Sequence, residues 1–154
     1  MDNKKLADLL FPNNKFTVEE IEKKYPKRNL KEGAEVTRFA PSPTGFMHIG
    51  GFFQAIIDKN IAKRSNGVFM LRIEDTDKKR EIIGASTIIL EVLKRYDCMP
   101  DEYEEKGVQV VGNYGPYFQS EREEYYKAYA KKLVSEGKAF PCFCRKTEGL
   151  NDVK

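Results

Sequence analysis

Residues 36–51 have the sequence VTRFAPSPTGFMHIGG, and this stretch decides how the chain is expected to fold. Val36 to Ala40 form a short run that is compatible with a β-strand and that ends at a proline. The next residues, SPTG, have the composition of a turn. From His48 to Arg64 apolar residues recur at helical spacing, and Asn66-Gly67 is a pair that typically ends a helix. The stretch therefore predicts a strand, a tight loop and a helix.

A second strand and a second helix follow directly. Residues 68–77 have the sequence VFMLRIEDTD, in which Val68 to Ile73 are expected to form a buried strand before a polar loop. Helical periodicity returns from Ile82 to Tyr96. The order strand, helix, strand, helix is typical of α/β proteins with a parallel sheet and right-handed crossovers.

The first 35 residues are expected to form a helical N-terminal extension. A short amphipathic stretch comes first, formed by Leu6, Leu9, Leu10 and Phe11. Thr17 followed by Glu20 matches a capping box, which predicts a second short helix.

The C-terminal part gives weaker signals. Residues 97–118 are rich in glycine, proline and tyrosine and are expected to form a long loop. Ser120 with Glu123 predicts the capped start of a helix that runs to about Glu136 and stops at Gly137. Residues 138–144 are expected to form another strand.

Composition places the chain among soluble globular proteins. It has 154 residues, of which 33% are charged, with a formal net charge of +3. No apolar run approaches the roughly 20 residues that span a bilayer, so no membrane association is expected. The start of the chain lacks a signal-peptide pattern. Three cysteines, an odd number, argue for a reducing compartment, and we expect a cytoplasmic protein.

The start of the predicted first helix has the features of an anion site. Backbone N–H groups and the helix dipole favour negative charge there, and Gly50 and Gly51 would let a ligand approach the backbone. His48 could donate a hydrogen bond to a phosphate, which would suit attack of a carboxylate on that phosphate. The alternative is that His48 only begins the helix and that the glycines relieve crowding. His48 is the only histidine, so the chain cannot form a histidine-based metal cluster by itself.

The acidic loop after the second strand is the other candidate. Glu74, Asp75 and Asp77 would lie at the carboxyl end of the sheet, where parallel α/β proteins bind ligands. Helix capping is an equally good explanation for the aspartates. Their spacing does not fit a calcium loop.

Both motifs resemble those of one family. The sequence RFAPSPTGFMHIGG of residues 38–51 resembles the first signature of class I aminoacyl-tRNA synthetases, the "HIGH" motif, in its glutamyl form. Gly51 stands where other members of the class have a second histidine. RIEDTD at residues 72–77 and GPYFQSER at residues 115–122 also resemble the glutamyl branch. The resemblance implies a partial Rossmann-like nucleotide-binding domain, with its first half over residues 36–140 and the start of an acceptor-binding insertion over 141–154.

The resemblance also implies roles for residues at matching positions. Arg38 would pair with the side-chain carboxylate of glutamate, Glu74 would hold its α-amino group, and Ala40 and Ser42 would line the amino-acid pocket. His48 would be the catalytic residue. The ATP site would be formed by Pro41, Thr44, Gly45, His48, Gly50 and Gly51. Asp77 and Arg80 would approach the acceptor end of tRNA.

Cys142 and Cys144 form a C-x-C pair of the kind that some glutamyl enzymes use to bind zinc. A structural zinc site normally has four protein ligands, and the residues after Cys144 contain no cysteine or histidine. We therefore expect two ordinary thiols, with zinc only if further ligands lie beyond the chain.

The function implied by the resemblance is ATP-dependent ligation of L-glutamate to tRNA(Glu) through glutamyl-adenylate, with ATP and Mg²⁺ as the substrate complex. The second ATP signature of the family, a K-[ML]-S-K-type loop, does not occur in the sequence. We therefore expect an N-terminal portion that is inactive alone, of a protein that is monomeric at full length. Three alternatives remain open: a paralogue that glutamylates queuosine in tRNA(Asp), a non-catalytic nucleotide-binding module, and an interaction domain.

Overall fold

A computed structural model describes residues 2–143. In chain order it contains helices α1 (Asn3–Leu10) and α2 (Val18–Lys24), strand β1 (Val36–Phe39), helix α3 (Ile49–Ser65), strand β2 (Val68–Leu71), helix α4 (Ala85–Arg95), strands β3 (Tyr103–Glu105) and β4 (Gln109–Val111), a 3₁₀-helix (Gln119–Arg122) and helix α5 (Glu123–Ser135). Among these residues no helix is both long enough and apolar enough to cross a membrane.

The parallel pair of strands predicted from the sequence is confirmed. β1 and β2 run in parallel with Val36 opposite Val68 and Phe39 opposite Leu71, and α3 makes the crossover between them. Phe39 and Leu71 are buried on the face that α3 and α4 cover. Beyond β2 the main chain continues to pair, because Ile73 forms a parallel bridge with Phe118. The α/β class with a parallel, Rossmann-like arrangement is therefore correct.

Gly67 fixes how closely the two strands approach. Val68 donates its N–H to the carbonyl oxygen of Glu35 at 3.0 Å, at the first step of the pairing. A Cβ atom added at Gly67 would lie 1.8 Å from that same oxygen. A backbone atom cannot rotate away as a side chain can, so only glycine fits here without moving the strand.

The N-terminal helices form and pack on the rest of the chain. Thr17 and Glu20 make the predicted capping box, with hydrogen bonds of 2.8 and 3.2 Å. α1 and α2 contact α5, and a small apolar cluster joins Val18 and Ile21 to Tyr125. The division of the chain into an extension and a body remains a prediction.

A buried ion pair anchors the segment after α2. The guanidinium of Arg28 donates two hydrogen bonds to the carboxylate of Glu102, at 2.5 and 2.6 Å, and lies 3.7 Å from the ring centre of Tyr114. The Tyr117 hydroxyl donates a third bond to Glu102, which is only 7% exposed. Burial acts to raise the pKa of Glu102, but the bonds from Arg28 and Tyr117 outweigh it and hold the pKa below its usual value.

Three expectations about individual elements are wrong. Residues 97–118 are not only a loop, because β3 and β4 form an antiparallel hairpin within them. Ser120 does not cap α5, since its hydroxyl donates to the carboxylate of Asp75 and no side chain caps that helix. Residues 138–143 form no strand, and Cys144 lies outside the described residues.

The helix predicted over residues 82–96 is confirmed but shorter than expected. α4 begins at Ala85, after Gly84 at φ +82°, a left-handed conformation that glycine tolerates. Ile82 and Ile83 continue the apolar pattern of the helix in sequence but lie outside it, and Ile83 is 99% exposed.

Replacing Gly67 with alanine should weaken the fold strongly. Because the new methyl group would meet the carbonyl oxygen of Glu35, we expect the free energy of unfolding to fall by about 3 kcal/mol or more. Urea denaturation measures this directly. Gly45→Ala is the matched control, since a Cβ at Gly45 would meet no atom within 4 Å. Equal stability of the two variants would contradict the steric argument.

Acid should destabilise the protein partly through Glu102. A carboxyl whose pKa is lowered in the folded state stabilises the fold above its usual pKa, and that contribution is lost as the pH falls below it. We expect Glu102→Gln to cost about 3 kcal/mol at pH 7, because it leaves Arg28 without its buried partner. The variant should then lose less stability than the wild type between pH 5 and pH 3. Parallel curves of unfolding free energy against pH would contradict this assignment.

Candidate functional site

A cleft of about 430 Å³ lies at the start of α3. It gathers every residue predicted for the ATP site, together with Ala40 and Ser42 of the predicted amino-acid pocket. Its lining consists of Phe39, Ala40, Pro41, Ser42, Thr44, Gly45, Phe46, Met47, His48, Gly50, Gly51, Gln54 and Ile89. The loop after β1 and the first turns of α3 supply most of these residues.

His48 occupies the N-cap position of α3. Its Nδ1 atom accepts hydrogen bonds from the backbone N–H groups of Gly50 and Gly51, at 3.1 and 3.4 Å. Accepting at Nδ1 requires that this nitrogen carry no proton, so in the neutral ring the proton is on Nε2. His48 is exposed, and its Nε2–H is therefore a donor that a ligand can use.

This geometry changes how the helix start would bind an anion. Two of its N–H groups already have a partner in the His48 ring, which sequence reasoning did not anticipate. The ring's Nε2–H remains as a donor at the helix start. The cap and the donor are two functions of one imidazole.

The two glycines differ in what they permit. A Cβ at Gly50 would lie 3.1 Å from the His48 ring, which is tight, so this glycine makes room for the imidazole. A Cβ at Gly51 would make only ordinary contacts, at 3.8 Å with Met47 and 3.9 Å with Phe39. Relief of crowding thus explains Gly50 but not Gly51.

Arg38 and Glu74 lie beside this cleft and do not line it. They form an ion pair with each other, with Arg38 Nη1 2.6 Å from Glu74 Oε1. The backbone N–H of Glu74 donates to the carbonyl oxygen of Pro41 at 2.9 Å, which ties the acidic loop to the loop after β1. The pair and the cleft are therefore adjacent at the carboxyl ends of the two strands. Arg38 and Glu74 thus do not line the same cleft as His48.

Asp75 is a residue whose role sequence reasoning missed. Its side chain is fully buried and accepts hydrogen bonds from the backbone N–H of Ser120 at 2.9 Å and its hydroxyl at 2.6 Å, and from Lys78 Nζ at 2.9 Å. Burial acts to raise the pKa of Asp75, but these bonds outweigh it and lower the pKa. Asp75 thus connects the acidic loop to the 3₁₀-helix. The two motifs that contain Asp75 and Ser120 were visible in the sequence, but nothing there indicated that they touch.

Asp77 and Arg80 pair with each other. Arg80 Nε lies 2.6 Å from Asp77 Oδ2, and the Arg80 N–H also donates to Asp77. The aspartate therefore caps a turn and not helix α4. A contact of these residues with tRNA remains a prediction.

Within residues 2–143 there is no cluster of three or more His, Cys, Asp or Glu side chains able to hold an ion. Cys142 is exposed, and its predicted partner Cys144 lies outside the described residues.

Comparison with known proteins finds one family. The family described as tRNA synthetases class I (E and Q), catalytic domain, matches residues 35–154. The chain is 51% identical over 158 residues to a protein of Acetivibrio thermocellus named glutamate–tRNA ligase, with 100% of this chain and 28% of that protein covered. A protein of the same name from Clostridium beijerinckii is 49% identical, with 96% of this chain and 27% of that protein covered.

A solved structure shows the same fold. A glutamate tRNA ligase from Elizabethkingia meningosepticum, crystallised in complex with its amino acid, superposes with a TM-score of 0.61 at 42% identity. The superposition covers 66% of this chain and 19% of that one. The chain spans only 28% of the length of the Acetivibrio relative and 27% of that of the Clostridium relative. From residue 35 onward, this chain belongs to the family of class I tRNA synthetases for glutamate and glutamine, in its catalytic domain.

Proposed function

We propose that this chain provides the ATP- and glutamate-binding part of a glutamate–tRNA ligase, which forms glutamyl-adenylate and transfers the glutamyl group to tRNA(Glu). The observation that carries the proposal is the adjacency of two sites. A cleft with an outward imidazole donor at a helix start lies beside an ion pair of one arginine and one glutamate. The names and identities of the relatives support the same activity.

In the first step an oxygen of the glutamate α-carboxylate attacks the α-phosphorus of ATP, which enters with Mg²⁺. A bond forms between that oxygen and phosphorus, the bond to the β-phosphate bridge breaks, and pyrophosphate leaves. Negative charge increases on the non-bridging oxygens, and a fixed donor stabilises it. His48 Nε2–H is such a donor, because the bonds from Gly50 and Gly51 hold the ring in place.

Glutamate would be recognised through its two charged ends. Arg38 offers a planar guanidinium to the side-chain carboxylate, and the amide of glutamine would lose that charge pairing. Glu74 offers a carboxylate to the α-ammonium group. In the second step a hydroxyl of the 3′-terminal ribose of tRNA attacks the carbonyl carbon, and AMP leaves. Asp77 and Arg80 are proposed to approach this acceptor end.

Selective binding of the adenylate tests the proposal. The chain should bind a non-hydrolysable sulfamoyl analogue of glutamyl-adenylate about tenfold or more tightly than the glutaminyl analogue, because hydrogen bonds between charged groups are the stronger ones. Titration calorimetry measures both. Arg38→Gln should remove the preference. The control is Arg64→Gln, which changes an exposed arginine in the last turn of α3 and should keep the preference. Equal affinity for the two analogues, or none for either, would contradict the proposal.

His48→Asn separates the two functions of the imidazole. Asparagine is a good N-cap, so the free energy of unfolding should stay within about 1 kcal/mol of the wild type. The Nε2–H donor is lost, and the amide N–H of asparagine replaces it only on a shorter side chain, so the affinity of the chain for ATP with Mg²⁺ should fall about tenfold. His48→Ala should lose both the cap and the donor. If His48→Asn binds ATP as the wild type does, the ring is only a cap.

A further inference from the structure

Glu74 is contacted by two arginines that share one of its oxygens. Arg38 Nη1 lies 2.6 Å and Arg72 Nη2 lies 3.5 Å from the same atom, Oε1. In the parallel register Arg38 is opposite Met70, and Arg72 is two residues further along the same strand direction. Both arginines therefore extend from the face of the sheet that α3 does not cover.

The two arginines differ in how firmly they are held. The side chain of Arg38 is 40% exposed, whereas that of Arg72 is 21% exposed. Arg72 borders a second cleft, whose other lining residues include Met70, Tyr114 and Tyr117. Its Nε atom is buried and has no hydrogen-bond partner within residues 2–143. Arg38 is thus the more accessible of the two arginines to a ligand, while Arg72 is the more enclosed beside Glu74.

A glutamate that binds through Arg38 Nη1 and Glu74 Oε1 exchanges partners with the ion pair, since these are the two atoms that form it. Arg38 and Glu74 cannot keep their 2.6 Å contact to each other and also use the same atoms for the carboxylate and the ammonium of a ligand. Once Arg38 turns away, Glu74 is a partly buried carboxylate that needs another cation. Among the described residues, Arg72 is the only other cation for which an ion pair with Glu74 is observed.

We propose that Arg72 is a positioning residue: it holds the Glu74 carboxylate in place while Arg38 is released to the ligand. This inference rests on the proposed function. Its consequence concerns selectivity. With Arg72 present, a diacid that lacks an ammonium group can still bind to Arg38, because Glu74 keeps a partner. Without Arg72, only a ligand that brings its own ammonium compensates for the broken pair.

The experiment compares L-glutamate with glutarate, the same diacid without the amino group. Both are titrated into the ¹⁵N-labelled chain, and the dissociation constants are obtained from NMR shifts. The wild type should bind both and prefer L-glutamate. In Arg72→Gln the affinity for glutarate should fall more than that for L-glutamate, which raises the preference about tenfold. Arg72→Lys restores a cation and should return the preference to within about threefold of the wild type.

Arg95→Gln, an exposed arginine at the end of α4, is the matched control, and the dispersion of each ¹⁵N spectrum shows whether the variant is folded. An unchanged preference in Arg72→Gln overturns the inference, whether both affinities fall together or neither does. So does a wild type that binds L-glutamate but not glutarate, because Arg72 would then not suffice to hold Glu74. A wild type that does not bind L-glutamate contradicts the proposed function itself.

Discussion

The parallel pairing of β1 with β2 determines where the candidate functional groups lie. Each strand passes directly into a functional loop, and parallel strands bring such loops to the same edge. The pairing continues beyond the strands, since Arg72 donates its N–H to Phe39 and Glu74 donates to Pro41. The acidic loop is therefore held in register with the loop that precedes α3. Without that register, Arg38 would not meet Glu74.

A second set of contacts supports the acidic loop from the other side. Arg28, in the segment after α2, binds Glu102, and Glu102 binds the hydroxyl of Tyr117. The main chain of Tyr117 in turn accepts the N–H of Ile73, the residue before Glu74. Residues outside the family match thus stabilise the loop that carries a candidate binding residue. Residues 2–35 thus help to support the acidic loop, although they contribute no side chain to the cleft at α3.

Local patterns in the sequence predicted the parts of the structure that depend on local interactions. The start of α3 was predicted from apolar spacing, and its end from Asn66-Gly67, where Asn66 adopts a left-handed conformation. The alternation of strand and helix likewise follows from hydrophobic periodicity. Every residue expected to form the ATP site comes from one continuous stretch, and these residues do share one cleft.

The failures involve contacts between distant parts of the chain. Ser120 has the sequence pattern of a helix cap, but its hydroxyl donates to the buried carboxylate of Asp75 instead. The two residues are 45 positions apart, so the local sequence around Ser120 does not show this contact. β3 and β4 have only three residues each and lack a clear apolar alternation. Residues 138–143 are mostly apolar, as a buried strand would be, but β-structure also needs a partner strand, and none of the described residues supplies one. Strand pairing depends on two segments, so the sequence of one segment alone does not predict it.

The site also illustrates how charge is managed before a ligand arrives. We propose that Arg38 and Glu74 bind opposite ends of an amino acid, and each of these partly buried charges needs a partner when it does not contact that ligand. Here they satisfy each other, and a third charged group shares the contact. Such an arrangement lowers the cost of keeping both charges in the unliganded protein, but it also makes binding a competition with an internal salt bridge. Under the proposed function, a ligand that replaces both halves of the pair is favoured over one that replaces a single half, so this ion pair would contribute to selectivity for a zwitterion.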